Sequence, residues 1–248
     1  MSDLSDRGVD PFEPSRSPKD FDLKFSSHWM RSFIFYGIPS ISLLSVCMSF
    51  IKGRNDNVAV IEFADRFILN NEASIPTLLS IVLMWMASQL CALNYFYYQK
   101  IRKSRLNLYW IASSLFLLAM AYDESAQVHE TLRWSVFGDI LNGQSWIFVG
   151  IPIVGVLGVL FIPFLLSPPR RLKMEIGKGA AIFVLGAIVI EGVGGVYKAN
   201  LGMDFTYNLL TVLEEATELV GVSYVNLVLL RHAAENRISI DFCDHAES

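Results

Sequence analysis

The sequence predicts an all-α, polytopic membrane protein, a bundle of about six transmembrane helices with both termini in the cytoplasm. Composition is the first reason, because 53% of the 248 residues are hydrophobic and only 18% are charged. The mean hydropathy is +0.42. A soluble domain of this length cannot bury so much apolar surface. The other two reasons are recurring apolar runs and an uneven distribution of basic residues between them.

Six apolar runs are each long enough to cross a hydrocarbon layer of ~30 Å, which takes about 20 residues. These runs are Ser32–Ile51, Ile75–Tyr98, Leu106 to about Glu130, Trp146–Leu166, Gly179–Tyr197 and Asn208–Leu230. They predict a transmembrane domain over residues 29–230. Residues 1–28 are polar, with prolines among charges, which is typical of a flexible cytoplasmic tail. Residues 231–248 form a second cytoplasmic tail.

A shorter segment, residues 57–69, connects the first two runs. Glu62, Asp65 and Arg66 share one helical face, and apolar side chains cover much of the rest. This pattern is typical of an amphipathic helix that lies on the membrane surface. An ordinary loop packed on the bundle is the alternative.

The distribution of lysine and arginine predicts the orientation of the bundle. With the amino terminus in the cytoplasm, the inner segments hold fifteen of these residues and the outer segments hold five. Cytoplasmic segments carry the excess of basic residues in membrane proteins, so both termini are expected inside. The same residues are topology signals, and no nucleic-acid partner is predicted. The lipid bilayer is the expected surrounding, with a membrane-protein partner or an oligomer left open.

Several ionisable residues interrupt the third, fifth and sixth runs. They are Asp123, Glu124, His129, Glu130, Glu191, Glu214, Glu215 and Glu218. A charged residue at the bilayer centre costs roughly 2.5 to 3.5 kcal/mol on insertion scales. Such residues normally face the bundle interior or a wet cavity, and they mark functional sites.

These acids are expected at one depth. At 1.5 Å per residue, Asp123 lies about 25 Å along the third helix, which runs outward. Glu191 lies about 18 Å from the inner face, and Glu214 and Glu218 lie about 9 and 15 Å below the outer face. All three helices therefore place their acids in the outer half of the membrane.

Helical faces and glycines suggest how the cluster forms. Asp123, Gln127 and Glu130 are spaced i, i+4 and i+7, which places them on one stripe of the third helix. Glu191 is followed by glycines at 192, 194 and 195, which would let another helix approach closely. Ordinary close packing explains these glycines equally well.

So many carboxylates cannot all stay ionised and unpaired in a low-dielectric site, so protons or cations must neutralise them. A divalent metal ion is therefore the predicted cofactor. Carboxylates with one imidazole suit iron, manganese or zinc, and oxygen ligands alone suit calcium or magnesium. Known di-metal bundles use Glu-x-x-His on two helices, a motif that this chain lacks. Proton relay and a structural ion-pair network remain open.

Two motifs carry a resemblance to known proteins. The first is Asp123-Glu124 followed by His129-Glu130, and the second is Glu214-Glu215-x-x-Glu218 with a following Gly221. The pair resembles that of a group of uncharacterised bacterial six-helix membrane proteins, over roughly the second half of the chain. The resemblance implies the six-helix fold, the pairing of the two motifs and a multi-pass location in the cell inner membrane. It implies no reaction.

The leading function is a metal-dependent membrane protein whose site opens toward the outer face. In an enzyme, the metal would polarise a substrate or activate water. A carboxylate outside the metal's coordination would act as general base. Lipid-like or small apolar substrates would reach such a site from the bilayer.

Two alternatives remain. A proton- or cation-coupled transporter or channel would need polar residues that continue toward the cytoplasm. The few candidates for that path are Ser80, Ser88, Gln89, Asn94 and Asn226. A structural accessory subunit would pair its acids with Arg133, Lys198 or a partner protein, and would have no pocket.

Overall fold

Helices form all the regular secondary structure in the part of the chain that the structure describes. This structure is a computed structural model, which describes residues 27–69, 71, 74–128, 147–167, 169–236 and 238. Two residues of the predicted cluster, His129 and Glu130, lie outside these ranges. So do Arg133, nearly all of the amino-terminal tail and most of the carboxyl-terminal tail.

Seven helices are named here in chain order. They are α1 (His28–Lys52), α2 (Val58–Asp65), α3 (Ile75–Ile101), α4 (Leu108–Ala126), α5 (Ile147–Leu166), α6 (Arg170–Leu201) and α7 (Phe205–Glu235). Two of them contain a π-helical segment, Phe33–Gly37 in α1 and Leu185–Ile190 in α6. The first residues of α6, which are basic, were expected in a loop before a span that begins at Gly179.

Four of these helices, α1, α3, α5 and α6, are long and apolar enough to cross a membrane. The remaining two long helices, α4 and α7, carry acids of the predicted cluster, and acids lower the hydropathy of a helix. The described part of the chain is therefore an all-helical protein with membrane-compatible helices. The count of six spans and the side of each terminus stay predictions.

The short helix α2 packs against α1. Asn57 caps it, since its side chain accepts a hydrogen bond from the Ala59 N–H. The Lys52 Nζ and Asp65 Oδ1 atoms lie 2.6 Å apart, and the buried Ser45 hydroxyl accepts a hydrogen bond of 2.9 Å from the Leu69 N–H. Residues 57–69 thus include a helix that contacts the bundle, and its position on a membrane surface stays a prediction.

Helix α7 lies at the centre of the packing, where it contacts α1, α3 and α6. Leu219 and Leu229 on this helix are almost fully buried. Polar side chains join the core helices, since Asn226 Nδ2 of α7 donates to the Leu83 carbonyl of α3 at 2.9 Å. The Ser88 hydroxyl of α3 likewise donates to the Ser114 carbonyl of α4 at 2.9 Å. Such interhelical hydrogen bonds are typical of membrane bundles.

Glycines bring α6 and α7 into backbone contact. A Cβ atom on Gly221 would lie only 2.5 Å from the Phe183 backbone nitrogen and 2.9 Å from the Gly179 carbonyl oxygen. A Cβ on Gly186 would lie 3.0 Å from the Glu214 carbonyl oxygen and 2.8 Å from the Glu218 Cγ. No side chain other than hydrogen fits at these distances, so small residues determine how closely the two helices pack.

The substitution Gly221→Ala should therefore destabilise the bundle. Its methyl group meets backbone atoms of Phe183, which cannot move without shifting α6, so the loss should reach about 3 kcal/mol, the upper end for overpacked cores. Thermal unfolding of the purified protein in detergent measures this loss. The matched control is Gly155→Ala on α5, where an added Cβ has no described atom within 4 Å. Equal melting temperatures for the two variants would contradict the packing described above.

Candidate functional site

A cavity of about 950 Å³ lies among α3, α4, α5, α6 and α7. Six of the eight predicted site residues line it, and they come from three helices. They are Asp123 and Glu124 of α4, Glu191 of α6, and Glu214, Glu215 and Glu218 of α7. The other two, His129 and Glu130, belong to the part of the chain that is not described. The cavity therefore joins acids that are up to 95 positions apart in the sequence.

The carboxylates are close enough to act on one another electrostatically. Glu215 of α7 experiences the charges of Glu124, Glu191 and Glu214. Glu218 experiences the same three charges and that of Glu215. All five side chains are partly exposed because they face the cavity. Like charges repel strongly in a site of low dielectric constant, so such a group favours bound protons or cations.

The α6–α7 hairpin brings its acids to a similar level. Glu191 lies ten residues before Leu201 at the end of α6, and Glu214 lies ten residues after Asp204 at the start of α7. Each is therefore about 15 Å from the turn at 1.5 Å per residue. Five residues before Glu191, Gly186 contacts α7 between Glu214 and Glu218. This geometry agrees with the expectation of a common depth for these two helices.

The lining of the cavity includes one basic residue within the described part of the chain, Lys198 of α6. Its Nζ atom lies 5.7 Å from the ring centre of Tyr207, which also lines the cavity. Six carboxylates thus share a cavity with one lysine in the described part of the lining. The negative charge of this surface favours a cationic ligand.

The turn beside Lys198 is held by Asp204. Its Oδ1 accepts a hydrogen bond of 3.0 Å from the Tyr207 N–H, which caps α7, and its Oδ2 accepts one of 2.9 Å from the Tyr197 hydroxyl of α6. These bonds stabilise the charged carboxylate and hold the pKa of Asp204 below its usual value. The side chain thereby links the two helices that carry four of the six acids.

One expectation for α4 is wrong. Gln127 has a left-handed backbone, with φ of 54°, and its N–H donates to the Asp123 carbonyl oxygen at 2.6 Å. The helix therefore ends at Ala126. The stripe of Asp123, Gln127 and Glu130 assumed a regular helix to residue 130, so its i+4 position does not hold. Its i+7 position, Glu130, lies outside the described residues. Gln127 still lines the cavity, from the end of α4.

The glycines that bring α6 to α7 also differ from those expected. The close contacts are at Gly179 and Gly186, whereas a Cβ on Gly194 would have no described atom within 4 Å. A Cβ on Gly192 would meet only Ile147 of α5, at 3.8 Å. Gly179 and Gly186 are seven residues apart, two helical turns, and this spacing could have indicated the contact face.

Within the described residues, no three His, Cys, Asp or Glu side chains are arranged to hold a metal ion. That search did not include His129 and Glu130, which belong to the predicted ligand set. The metal ion is therefore a proposal, and its support comes from the charge of the cavity.

The apolar part of the cavity, farther from the α6–α7 turn, could not be predicted from the sequence. Below the acids, its walls include Phe116 of α4, Phe161 and Phe164 of α5, and Ile176 of α6. Aromatic rings join α4 and α5 at this end, with the Trp110 and Phe164 rings 5.0 Å apart. Each of these side chains looks like ordinary core packing in the sequence, because only the arrangement of the helices leaves space between them.

The helices and the acidic cavity define the class of this protein as an all-helical bundle with helices able to cross a membrane. The chain belongs to the family described as "Domain of unknown function (DUF8692)", whose model matches residues 41–233. This match extends from α1 into the last turn of α7, so it includes every acid of the cavity. No curated protein and no solved structure matches the chain.

Replacing Asp204 with alanine should loosen the α6–α7 turn and lower the melting temperature at pH 7. Because the folded-state pKa is depressed, the stabilisation is present above the unfolded pKa of about 3.9 and is lost as the pH falls through the lower folded pKa. Melting curves of wild type and Asp204→Ala should therefore converge below about pH 4. The control is Asp56→Ala, an exposed acid between α1 and α2. A difference that persists unchanged at pH 3 would contradict this role.

Proposed function

We propose that this protein is a six-helix integral membrane protein that binds a divalent metal ion among the acids of its cavity and acts as a metal-dependent membrane enzyme. One observation carries the proposal: carboxylates from α4, α6 and α7 converge in a single cavity of about 950 Å³. Acidic residues inside a membrane usually belong to functional sites. The volume of this cavity is at the upper end of the range for ligand pockets, about 300 to 1,000 Å³.

The ligand chemistry supports a metal ion. Carboxylate oxygens suit Ca²⁺, Mg²⁺ and Mn²⁺, and an imidazole in the set would extend the choice to iron or zinc. Glu214, Glu215 and Glu218 lie on adjacent turns of α7 and all line the cavity, so this helix can offer more than one ligand. Glu124 and Glu191 approach from the other two helices. The sequence-predicted set also includes His129 and Glu130.

A bound metal would act as a Lewis acid or lower the pKa of a water molecule. The carboxylates of the cavity would then have two different roles. Carboxylates that coordinate the ion would orient it, and one outside the coordination would accept a proton as general base. The apolar inner part of the cavity would hold the apolar part of a lipid-like substrate and exclude water from the reaction.

Transport has less support. The polar residues proposed for a path to the cytoplasm do not line the cavity, since Ser88 and Asn226 form buried hydrogen bonds between helices. Asn94 bonds the Leu90 carbonyl of its own helix. Below the acids, the described lining is mostly apolar, and the hydroxyl of the lining residue Ser113 donates to the Tyr109 carbonyl of its own helix. A purely structural role for the acids predicts no pocket, and a cavity of this volume favours a ligand instead.

Metal analysis of the purified protein tests the metal site. We expect at least one iron, manganese, zinc, calcium or magnesium ion per chain, with a loss of at least fivefold in Glu218→Gln and in His129→Ala. Glu218→Gln removes one negative charge and one ligand with little change in shape. The matched control is Glu235→Gln, an exposed acid at the end of the same helix, which should keep the metal. A well-folded wild type that holds none of these ions after incubation and desalting would overturn the proposal.

Reporter fusions test the six-span topology. A reporter that fluoresces only in the cytoplasm should be active after Lys103 and Ser248, and alkaline phosphatase, which is active only outside, should be active after Ile140 and Met203. The fusions at Lys103 and Ile140 test whether α4 crosses the membrane. Those at Met203 and Ser248 test α7 in the same way. The same reporter active at both positions of either pair would exclude a crossing by that helix.

A further inference from the structure

The cavity continues well below its acids, in a part here called the inner arm. Its walls are Phe116 of α4, Gly158, Phe161 and Phe164 of α5, Ile176 of α6 and Val225 of α7. On α7, the residues lining the whole cavity run from Tyr207 to Val225. That span is about 27 Å at 1.5 Å per residue, close to the ~30 Å thickness of a hydrocarbon layer. The cavity is therefore long and amphipathic.

The cavity is large enough for a lipid-sized ligand. Its volume is about 950 Å³, and ligand pockets span about 300 to 1,000 Å³. Water is a poor candidate for the inner arm, because a buried water molecule needs two to four polar partners and the lining below the acids is mostly apolar. The hydroxyl of the lining residue Ser113 already donates to the Tyr109 carbonyl of its own helix. An apolar ligand is the remaining class. In a bilayer, hydrocarbon chains are the abundant apolar molecules.

We propose that the inner arm holds the hydrocarbon chain of a single-chain amphiphile, whose polar head lies among the acids at the outer end. The length of the cavity favours an extended chain over a compact ring system. The two ends differ in chemistry, with six carboxylates and Lys198 at one and phenylalanine rings at the other. This inference rests on the proposed function for the acidic end, and it names the substrate class of the same site.

Two glycines of α5 allow a matched test. Gly158 lines the cavity and Gly155 does not, although both lie on the same helix one turn apart. A Cβ at either position has no described atom within 4 Å, so a larger side chain meets no described backbone there. Gly158→Phe should fill the inner arm, and Gly155→Phe adds the same side chain outside it.

The probe is a long-chain primary amine with a photoreactive diazirine midway along its chain, added to the full-length protein in detergent micelles. We expect it to label the lining residues Leu157 and Phe161 by mass spectrometry. Labelling should fall at least fivefold in Gly158→Phe and stay at the wild-type level in Gly155→Phe. Ala181→Phe, which fills the cavity from α6, should repeat the loss if Gly158→Phe does not fold.

Labelling confined to the exposed residues Ile153 and Val156 of α5, or equal in the two glycine variants, would overturn the inference. Metal content separates this failure from that of the proposed function, because Gly158→Phe leaves all six acids in place. If the protein holds metal but the inner arm is not labelled, the inference of a hydrocarbon chain is wrong and the metal site stands. If the inner arm is labelled but the protein holds no metal, the metal site is wrong and the hydrocarbon chain stands.

Discussion

The backbone contact between α6 and α7 is the constraint on which the site depends. Gly179, Gly186 and Gly221 let the two helices approach until backbone atoms touch. Because Gly186 contacts α7 between Glu214 and Glu218, this contact holds Glu191 at a similar level to the acids of α7. A hydrophobic effect between helices is weak in lipid, so close packing and hydrogen bonds must supply most of the association. The acids can be crowded only because packing elsewhere resists their repulsion.

The sequence predicted most of the fold because membrane insertion leaves few choices. A segment of about 20 apolar residues in a bilayer must satisfy its backbone internally, so it becomes a helix. Helices therefore appear where the apolar runs predicted them. The ends of α4 and α7 were harder to predict, because these two helices carry the acids. Their acids reduce the apolar signal, and the same acids line the cavity. Six acids could be placed at one site from depth alone.

Local backbone geometry could not be predicted in the same way. The left-handed turn at Gln127 ends α4 at Ala126, whereas the apolar run predicted a helix to about Glu130, and no proline or glycine at position 127 indicates the turn. The π-helical segment Leu185–Ile190 directly precedes Glu191. A π turn adds about one residue, which rotates the following side chains by roughly 100° relative to a regular helix. Faces counted from Gly179 therefore do not give the direction of Glu191, and only the three-dimensional packing does.

The two ends of the cavity differ in what they need from a ligand, and an amphiphile bound together with a metal ion meets both needs. Crowded carboxylates at the outer end are unfavourable unless cations or protons neutralise them. The phenylalanine side chains of the inner arm gain van der Waals contacts when an apolar chain packs against them. A cation alone would make no such contacts, and an apolar molecule alone would leave the like charges crowded. An amphiphile with its head among Glu191, Glu215 and Glu218 and its chain beside Phe161, together with a metal ion, would meet both needs.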